Sequence, residues 1–264
     1  IPPFGSDTAC ARFLPLIAAG KLRAAVPLPS ADWESQLRVN GDVLDGRAAQ
    51  VLDAASADWL LVFAQTPRNE TALYAVARAT PGVTVHARKT WDATRHFADV
   101  EFKSVAAERI DEPRGFAAGL VRATALARLY LAAEALGGAQ QCLDLTVAYT
   151  ATRKQFGRAV ASFQAVKHML ADMVTRTEVA RAAVYSAGTA LDEDTPESTK
   201  HRLVFGAKVV AGDAAIANGK AATQVFGGMG FTWEVDVHLY LKRAWVLDTH
   251  FESADGNAEL VCAT

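Results

Sequence analysis

Apolar positions in the second half of the chain recur three or four residues apart over a long stretch. Between residues 126 and 152 they are Leu126, Leu129, Ala133, Leu136, Leu143 and Val147. This spacing lays one apolar stripe along a helix. Gly137 and Gly138 lie inside the stripe, where each is less favourable than Ala by about 1 kcal/mol. We therefore predict a long helix that ends near Thr152 and that another helix or a ligand approaches closely at the two glycines.

Shorter helical patterns follow. A stripe from Phe163 to Thr177 predicts a second helix. The sequence Thr195-Pro196-Glu197 predicts the start of a third, with a hydroxyl N-cap and proline at the first helical position. Gly227 is expected to end this third helix, and residues 235–245 and 257–262 predict two more. Long helices joined by short links are typical of a helical bundle.

The first half carries short strand patterns instead. Residues 37–44 predict a β-hairpin, because Asn40-Gly41 suits the positive φ values of a tight turn. A short helical stripe precedes the hairpin and is expected to stop at Gly20. Further strand candidates, separated by turn-forming residues, are 59–64, 73–77, 83–86 and 97–102. The predicted fold class is α+β, with the end of a helical domain at 1–20, a small β domain at 21–108 and a C-terminal helical bundle at 109–264.

The composition narrows the classes of function. Of 264 residues, 51% are apolar, and 27 Lys and Arg against 29 Asp and Glu give a net charge of −2. This balance gives no reason to expect nucleic acid or an anionic membrane as a partner. We predict no membrane insertion, since no uninterrupted apolar run reaches roughly 20 residues. Cys10, Cys142 and Cys262 lie far apart and are predicted to be reduced thiols of a cytoplasmic protein. The histidines lack metal-ligand spacing, so we predict no metal site.

Two motifs resemble one protein family. The first is YTATRKQFG at residues 149–157, followed by Phe163-Gln164, and the second is QVFGGMGFT at residues 224–232. In this order, each at the end of a long helical pattern, they resemble the acyl-CoA dehydrogenase family, whose flavin-binding motif is Gln-x-x-Gly-Gly-x-Gly. The resemblance is dense in the second half of the chain and loose in the first. It implies that most of the family's N-terminal helical domain is absent from this chain.

The resemblance implies FAD as the cofactor and a set of contacts to it. Arg153, whose planar guanidinium suits a diphosphate, is expected to contact the FAD of the neighbouring subunit together with Gln155 and Phe156. Contacts on the adenine side are expected from Gln164, Gln224, Gly227 and Gly228. The residues alone favour a simpler interpretation of Arg153 as a cation near a helix C-terminus, and of the glycines as a helix end followed by a loop.

The family places its catalytic carboxylate at one of two locations, and neither holds the expected glutamate here. Ala127 occupies the first location and cannot accept a proton. At the second, a Glu-Gly-Thr loop, this chain has Asp255-Gly256-Asn257, so Asp255 is the candidate base and Glu252 a weaker one. An ordinary Asp-Gly turn also explains Asp255. Arg128 resembles an arginine near the acyl-CoA thioester, and a solvated helix arginine explains it equally well.

The predicted β domain departs most from the family pattern. The family has a Thr-Glu-Pro segment, a Gly-Ser-Asp turn and a Lys-led strand that hold the flavin ring and the acyl chain, and residues 24–33 and 45–50 replace them here. The contacts to a neighbour's flavin are retained, whereas the ring-side contacts of the chain's own site are eroded. The resemblance therefore implies a subunit of a heteromeric acyl-CoA dehydrogenase, similar to bacterial enzymes that act on steroid-derived acyl-CoA thioesters.

The implied reaction is α,β-dehydrogenation of an acyl-CoA, in which a carboxylate removes the α proton and the β hydrogen leaves as hydride. The implied partners are the acyl-CoA, a homologous subunit in a heterotetramer or otherwise a homotetramer, and an acceptor similar to electron-transfer flavoprotein. Two alternatives stay open. One is a self-sufficient flavoenzyme with Asp255 as base, such as a relative of nitroalkane oxidase. The other is a catalytically inactive structural homologue.

Overall fold

The computed structural model describes residues 5–27, 37–112 and 116–263. The chain forms two compact units, residues 1–123 and 124–264, and the long helix α2 (Phe116–Thr152) contributes residues to both. A small β region is followed by a helical bundle, which confirms the predicted α+β class. The predicted domain limits, at residues 20/21 and 108/109, stay predictions.

Within the described residues, the first unit is an eight-stranded sheet preceded by one helix, α1 (Asp7–Ala18). Its strands are β1 (Ala24–Ala25), β2 (Arg38–Asn40), β3 (Val43–Leu52), β4 (Trp59–Gln65), β5 (Thr71–Ala77), β6 (Val83–Arg88), β7 (Phe97–Ala106) and β8 (Glu108–Arg109). They are ordered β6-β7-β3-β2-β4-β5-β8 across the sheet, and β1 pairs with β4. Each strand candidate after the hairpin lies within an observed strand.

Strand β4 is buried on both faces of the sheet. Leu60 and Val62 pack into one apolar core, and Leu61 and Phe63 pack into a second core that also holds Phe13 of α1. Because both faces are covered, the strand reads as a continuous apolar run rather than an alternating one.

The predicted hairpin is confirmed, with its turn one residue later than Asn40-Gly41. Asn40 pairs with Val43 across β2 and β3, so Gly41 and Asp42 form the turn. Gly41 takes a φ of 62°, a left-handed conformation that glycine adopts without the steric cost of a Cβ atom.

The second unit is helical apart from a short hairpin, β9 (Lys154–Gln155) and β10 (Arg158–Ala159), that follows α2. Its further helices are α3 (Gln164–Asp192), α4 (Glu197–Phe226), α5 (Val237–Thr249) and α6 (Ala254–Ala263). The third predicted helix starts differently from the expectation, because Pro196 is the N-cap of α4 and no side-chain oxygen caps the helix. Gly227 ends α4 as predicted.

Small residues, rather than the leucines of the predicted stripe, form the most buried line of α2. Ala132, Ala139 and Cys142 are completely buried, whereas Ala133 and Val147 of the predicted stripe are exposed. Short side chains let neighbouring helices lie close to α2, and a pattern weighted by hydrophobicity overlooks them. Burial raises the pKa of the Cys142 thiol to about 12, which keeps it protonated and unreactive.

The close approach of another helix predicted at the two mid-helix glycines of α2 is wrong for Gly137, and the approach of a ligand stays a prediction. Among the described residues, no atom lies within 4 Å of the position that a Cβ would take there. Gly137 instead lines an open groove of about 570 Å³ with Tyr130 and Tyr185. At Gly138 the nearest atom to such a Cβ is Cδ1 of Tyr240 at 3.9 Å, an ordinary contact.

A buried amide joins three helices of the bundle. Asn218 of α4 is fully buried. Its Nδ2 donates to the carbonyl oxygens of Ala139 in α2 and Met173 in α3, at 3.3 and 3.1 Å, and to Oγ1 of Thr177 at 2.9 Å. These bonds hold the interior of the three helices together, because buried donors are costly to leave unpaired.

By length and composition, α2 is also apolar enough to cross a membrane, with a mean hydropathy of 1.3 in its most apolar window. The core helices of water-soluble bundles pass the same criterion. The prediction that no segment inserts into a membrane stays a prediction.

Candidate functional site

The two motifs singled out in the sequence are joined by an aromatic stack. Tyr149, one turn before the end of α2, stacks on Phe226, the last residue of α4. The ring centroids are 4.1 Å apart and the ring planes differ by 14°. Both rings pack with a small core that includes Met173 and Val237. The stack therefore brings together the C-terminal ends of two helices that are distant in the sequence.

Just beyond α2 the chain turns tightly and points an aromatic ring outward. Gln155 pairs with Arg158 across β9 and β10, and Phe156 and Gly157 form the turn, with φ values of 54° and 78°. Phe156 is 92% exposed. A bulky residue in the left-handed region is strained, and such strain clusters at functional sites. This turn is therefore a candidate contact for a ligand.

The polar residues around this turn are exposed. Among the described residues, none accepts a hydrogen bond from the guanidinium of Arg153. The amide of Gln155 donates from Nε2 to the carbonyl oxygen of Lys154 at 2.8 Å. Gln164, the first residue of α3, lies with its Nε2 3.0 Å from Nε2 of His168. Within the described parts of the chain, Arg153 and Lys154 are thus exposed cations of this surface without an ion-pair partner.

The glycine motif leaves part of its backbone open. Among the described residues, no atom lies within 4 Å of a Cβ placed on Gly227 or Gly228. At Gly230 a Cβ would lie 2.5 Å from the carbonyl oxygen of Thr223, so only glycine fits there. Gln224, one turn before Gly228, is exposed. Backbone N–H groups without neighbouring side chains can approach a phosphate closely.

We call the residues from the two motifs the flavin edge, and they are Arg153, Gln155, Phe156, Gln224, Gly227 and Gly228. A guanidinium beside open glycine backbone suits a phosphate or diphosphate. Exposed amides and an aromatic ring suit the polar rim and the face of a nucleobase. The residues present therefore fit one half of a dinucleotide such as FAD.

A second cluster surrounds Arg128. This residue forms an ion pair with Glu252 at 2.5 Å, and the two side chains are only 12% and 15% exposed. The guanidinium also lies over the rings of Phe205 and Phe251, at 5.0 and 5.3 Å from their centroids. Cation–π contacts of this kind strengthen when water is excluded. Arg128 is therefore a fixed, largely buried cation rather than a solvated one.

Glu252 lies in a tight loop between α5 and α6. Phe251 and Glu252 take φ values of 54° and 63°, which is strained for residues with a Cβ atom. The buried Asn257 holds this loop, since its Nδ2 donates to the carbonyl oxygens of Phe251, Glu252 and Ser253 at 2.9, 2.9 and 3.0 Å. This role of Asn257 was missed, because in the sequence Asn257 was interpreted only as the residue that replaces the threonine of the family's Glu-Gly-Thr loop.

Asp255 has a different environment. It is exposed in the first turn of α6, where a negative charge is favourable near the helix N-terminus. Burial raises the pKa of Asp213, and the negative charges of Asp248 and Asp255 raise it further. Ala127, next to Arg128, offers no ionisable group. The structure thus pairs Arg128 with Glu252, and the role of Asp255 as base stays a prediction.

Comparison with known proteins decides the family. Residues 114–260 match the model of the acyl-CoA dehydrogenase C-terminal domain. The chain belongs to the acyl-CoA dehydrogenase family. The short-chain-specific acyl-CoA dehydrogenase of Megasphaera elsdenii is 30% identical, with 91% of this chain and 67% of that protein covered. Among solved structures, a variant of the Tcur3481-Tcur3483 steroid ACAD is 25% identical, with a TM-score of 0.84, covering 98% of this chain and 71% of that one.

A relative with a higher sequence identity is matched over a smaller share of its length. Acyl-CoA dehydrogenase IpdE2 of Mycolicibacterium smegmatis is 46% identical over 118 residues, which are 45% of this chain and 35% of IpdE2. The match therefore spans little more than a third of that relative. The resemblance to acyl-CoA dehydrogenases drawn from the two motifs is confirmed.

In this member of the acyl-CoA dehydrogenase family, polar residues at 45–50 form hydrogen bonds within the sheet. Asp99 is buried and accepts hydrogen bonds from Arg88, Arg47 and the backbone N–H of Gln50. The bond from Arg88 is the main cause that holds the pKa of Asp99 well below its usual range. Asp45 accepts a backbone N–H at 2.7 Å. Residues 28–33 of the other predicted ring-side segment lie outside the described residues.

Proposed function

We propose that this chain is a subunit of an FAD-dependent acyl-CoA dehydrogenase and that its flavin edge binds the adenine half of an FAD held mainly by a neighbouring subunit. One observation carries the proposal. The Tyr149–Phe226 stack joins the helix ends that precede the two motifs, and within the described residues it leaves the guanidinium of Arg153 exposed and unpaired and the backbone at Gly227 and Gly228 open.

The residues of the flavin edge contact different parts of the FAD. Arg153 binds the diphosphate through charge-assisted hydrogen bonds. Gly227 and Gly228 let backbone N–H groups reach the ribose or phosphate, while Gln155, Gln224 and Phe156 contact the adenine half. Gln164 adds a more distant polar contact from the start of α3. When bound, the flavin supplies the acceptor for the β hydrogen of the acyl-CoA.

We further propose that the chain's own flavin site is incomplete. Arg47 and Asp45, at the family's ring-side turn, are engaged within the sheet, and Ala127 cannot serve as a base. The main catalytic carboxylate then lies on a homologous subunit, in a cytoplasmic heterotetramer or otherwise a homotetramer that passes electrons to an acceptor similar to electron-transfer flavoprotein. The likeness to a steroid ACAD supports a steroid-derived acyl group.

A second candidate function is a dehydrogenase that takes the α proton itself. The Arg128–Glu252 pair favours it, because it places a carboxylate in a largely buried site beside the arginine expected near the thioester. Glu252 is better placed for this task than the exposed Asp255. In both candidate functions Arg128 and Glu252 lie beside the acyl group of the substrate, and we call them the acyl-side pair. An inactive structural homologue is disfavoured, since it has no need of an exposed, unpaired Arg153.

The experiment is to mix the FAD-loaded assembly of this chain and its homologous subunit with acyl-CoA thioesters in the absence of oxygen. The expected result is loss of the visible absorbance of the oxidised flavin, faster with a steroid-derived acyl-CoA than with a linear one. If no acyl-CoA reduces the flavin while a chemical reductant does, the proposed activity is wrong.

A further inference from the structure

We propose that Lys208 is a positioning residue that holds the α5–α6 loop and thereby the Arg128–Glu252 pair. This inference rests on the proposed function, since it takes that pair as the acyl-side pair. Lys208 belongs to α4 and is only 2% exposed, which is rare for lysine without a specific partner. The family resemblance and the motif pattern assign it no role.

The contacts of Lys208 lead directly to the loop. Its Nζ donates to the backbone carbonyl oxygen of Asp248, in the last turn of α5, at 3.3 Å. The carboxylate of Asp248 accepts the backbone N–H of Ala254, the first residue of α6, at 3.1 Å. Asp248 therefore joins the two ends of the loop, and Lys208 fastens that junction to α4.

The loop closed in this way carries both partners of Arg128. Phe251 and Glu252 lie between Asp248 and Ala254, and Arg128 contacts the ring of the first and the carboxylate of the second. Phe205, one turn before Lys208 on α4, covers the guanidinium with its ring. One face of α4 thus supplies both the aromatic contact to Arg128 and the anchor of the loop.

The charged groups around Lys208 explain why a lysine is used. Burial lowers the pKa of Lys208, Asp248 and Glu252 act to raise it, and Arg128 acts to lower it. The ammonium therefore interacts with Glu252 as well as with Asp248. Attraction to these two carboxylates draws the ammonium toward the loop, which an uncharged side chain of similar length does not reproduce.

The test compares Lys208→Met with Lys89→Met, a matched control at an exposed lysine of the first unit. Hydrogen exchange of the protein is expected to accelerate at residues 249–254 in Lys208→Met only. In the assembled, FAD-loaded enzyme we expect kcat to fall about 10-fold, because small displacements of reacting groups are costly. We also expect the KM for the acyl-CoA to rise at unchanged FAD content, since the displaced pair lies beside the acyl group in the proposed function.

Unchanged exchange in the loop overturns the proposal, as does faster exchange with unchanged kcat and unchanged KM. Should Lys208→Met not fold, Lys208→Leu makes the same comparison, again without a donor for the carbonyl oxygen of Asp248. Glu252→Gln and Arg128→Gln test the acyl-side role of the pair separately from the anchoring of the loop by Lys208. If both keep full turnover at full FAD occupancy, the acyl-side role of the pair is wrong, while the exchange result still decides whether Lys208 holds the loop.

Discussion

Tyr149 and Phe226 lie face to face at 4.1 Å, and this contact joins the end of α2 to the end of α4. Arg153 follows Tyr149 by one helical turn, and Gly227 follows Phe226 directly. The distance between the arginine motif and the glycine motif is therefore set by one pair of rings. A ligand that contacts both motifs depends on this stack for the geometry of its site.

Replacing Tyr149 by Ala is expected to weaken FAD binding at the flavin edge and to lower the free energy of unfolding by about 2 kcal/mol, since stacking adds about 0.5–1.5 kcal/mol to the burial of the ring. Tyr149→Phe keeps the stack and is the matched control. Equal FAD affinity in the Ala and Phe variants, measured by flavin titration of the assembled enzyme, contradicts the role of the stack.

Arg153→Ala is expected to leave the fold intact and to lower the FAD affinity of the assembled enzyme about 10- to 150-fold. A hydrogen bond to a charged group is worth about 1.5–3 kcal/mol, which gives that range. Arg202→Ala, at an exposed arginine of α4, controls for the loss of one surface charge. If the two variants bind FAD equally well, Arg153 is only a cation at the end of a helix.

Asp255→Asn is expected to lose less than about ten-fold in turnover, because a carboxylate one C–C bond short, about 1.5 Å, is a poorly placed base. Glu252→Gln is expected to lose more, since it unpairs the buried Arg128. Steady-state kinetics at equal FAD content compare the two. A loss of about 1,000-fold in Asp255→Asn, with Glu252→Gln unaffected, makes Asp255 the base.

The β domain is expected to lose stability in acid through Asp99. Its pKa is lowered in the folded state, so its contribution to stability is complete above the ordinary aspartate pKa, decreases below about pH 4 and is lost as the pH falls through the lowered folded-state pKa. Asp99→Asn is expected to lower the free energy of unfolding by about 1.5–3 kcal/mol at pH 7 and to flatten this acid dependence. Asp194→Asn, at an exposed aspartate, is the control, and an equal acid dependence in both variants contradicts the assignment.

The sequence was sufficient for the long helices and for the longer strands of the sheet, because these depend on local periodicity and on turn-forming residues. Gly227 ends α4 as its position predicts. The motif resemblance also identified the family. What periodicity could not predict is which small residues of α2 are most deeply buried, such as Ala132 and Ala139, because burial depends on how closely neighbouring helices pack.

The cluster around Arg128 could not be predicted from the sequence for a similar reason. Arg128 and Glu252 are joined only by tertiary packing of α2 against the loop before α6, and no spacing rule relates them. Lys208 gave one weak signal, a lysine on an otherwise apolar face of α4 that follows Phe205 by one turn. A buried lysine can be recognised as such only when its neighbours are known.

The most direct test of the central claim is the FAD content of the protein, measured as flavin absorbance against protein mass, first for the chain purified alone and then for the chain purified with a homologous subunit. A subunit that supplies the flavin edge but lacks ring-side contacts is expected to carry far less than one FAD per chain when alone, and fewer flavins than subunits when assembled. One FAD per chain in the protein purified alone contradicts the account and makes the chain a self-sufficient flavoenzyme.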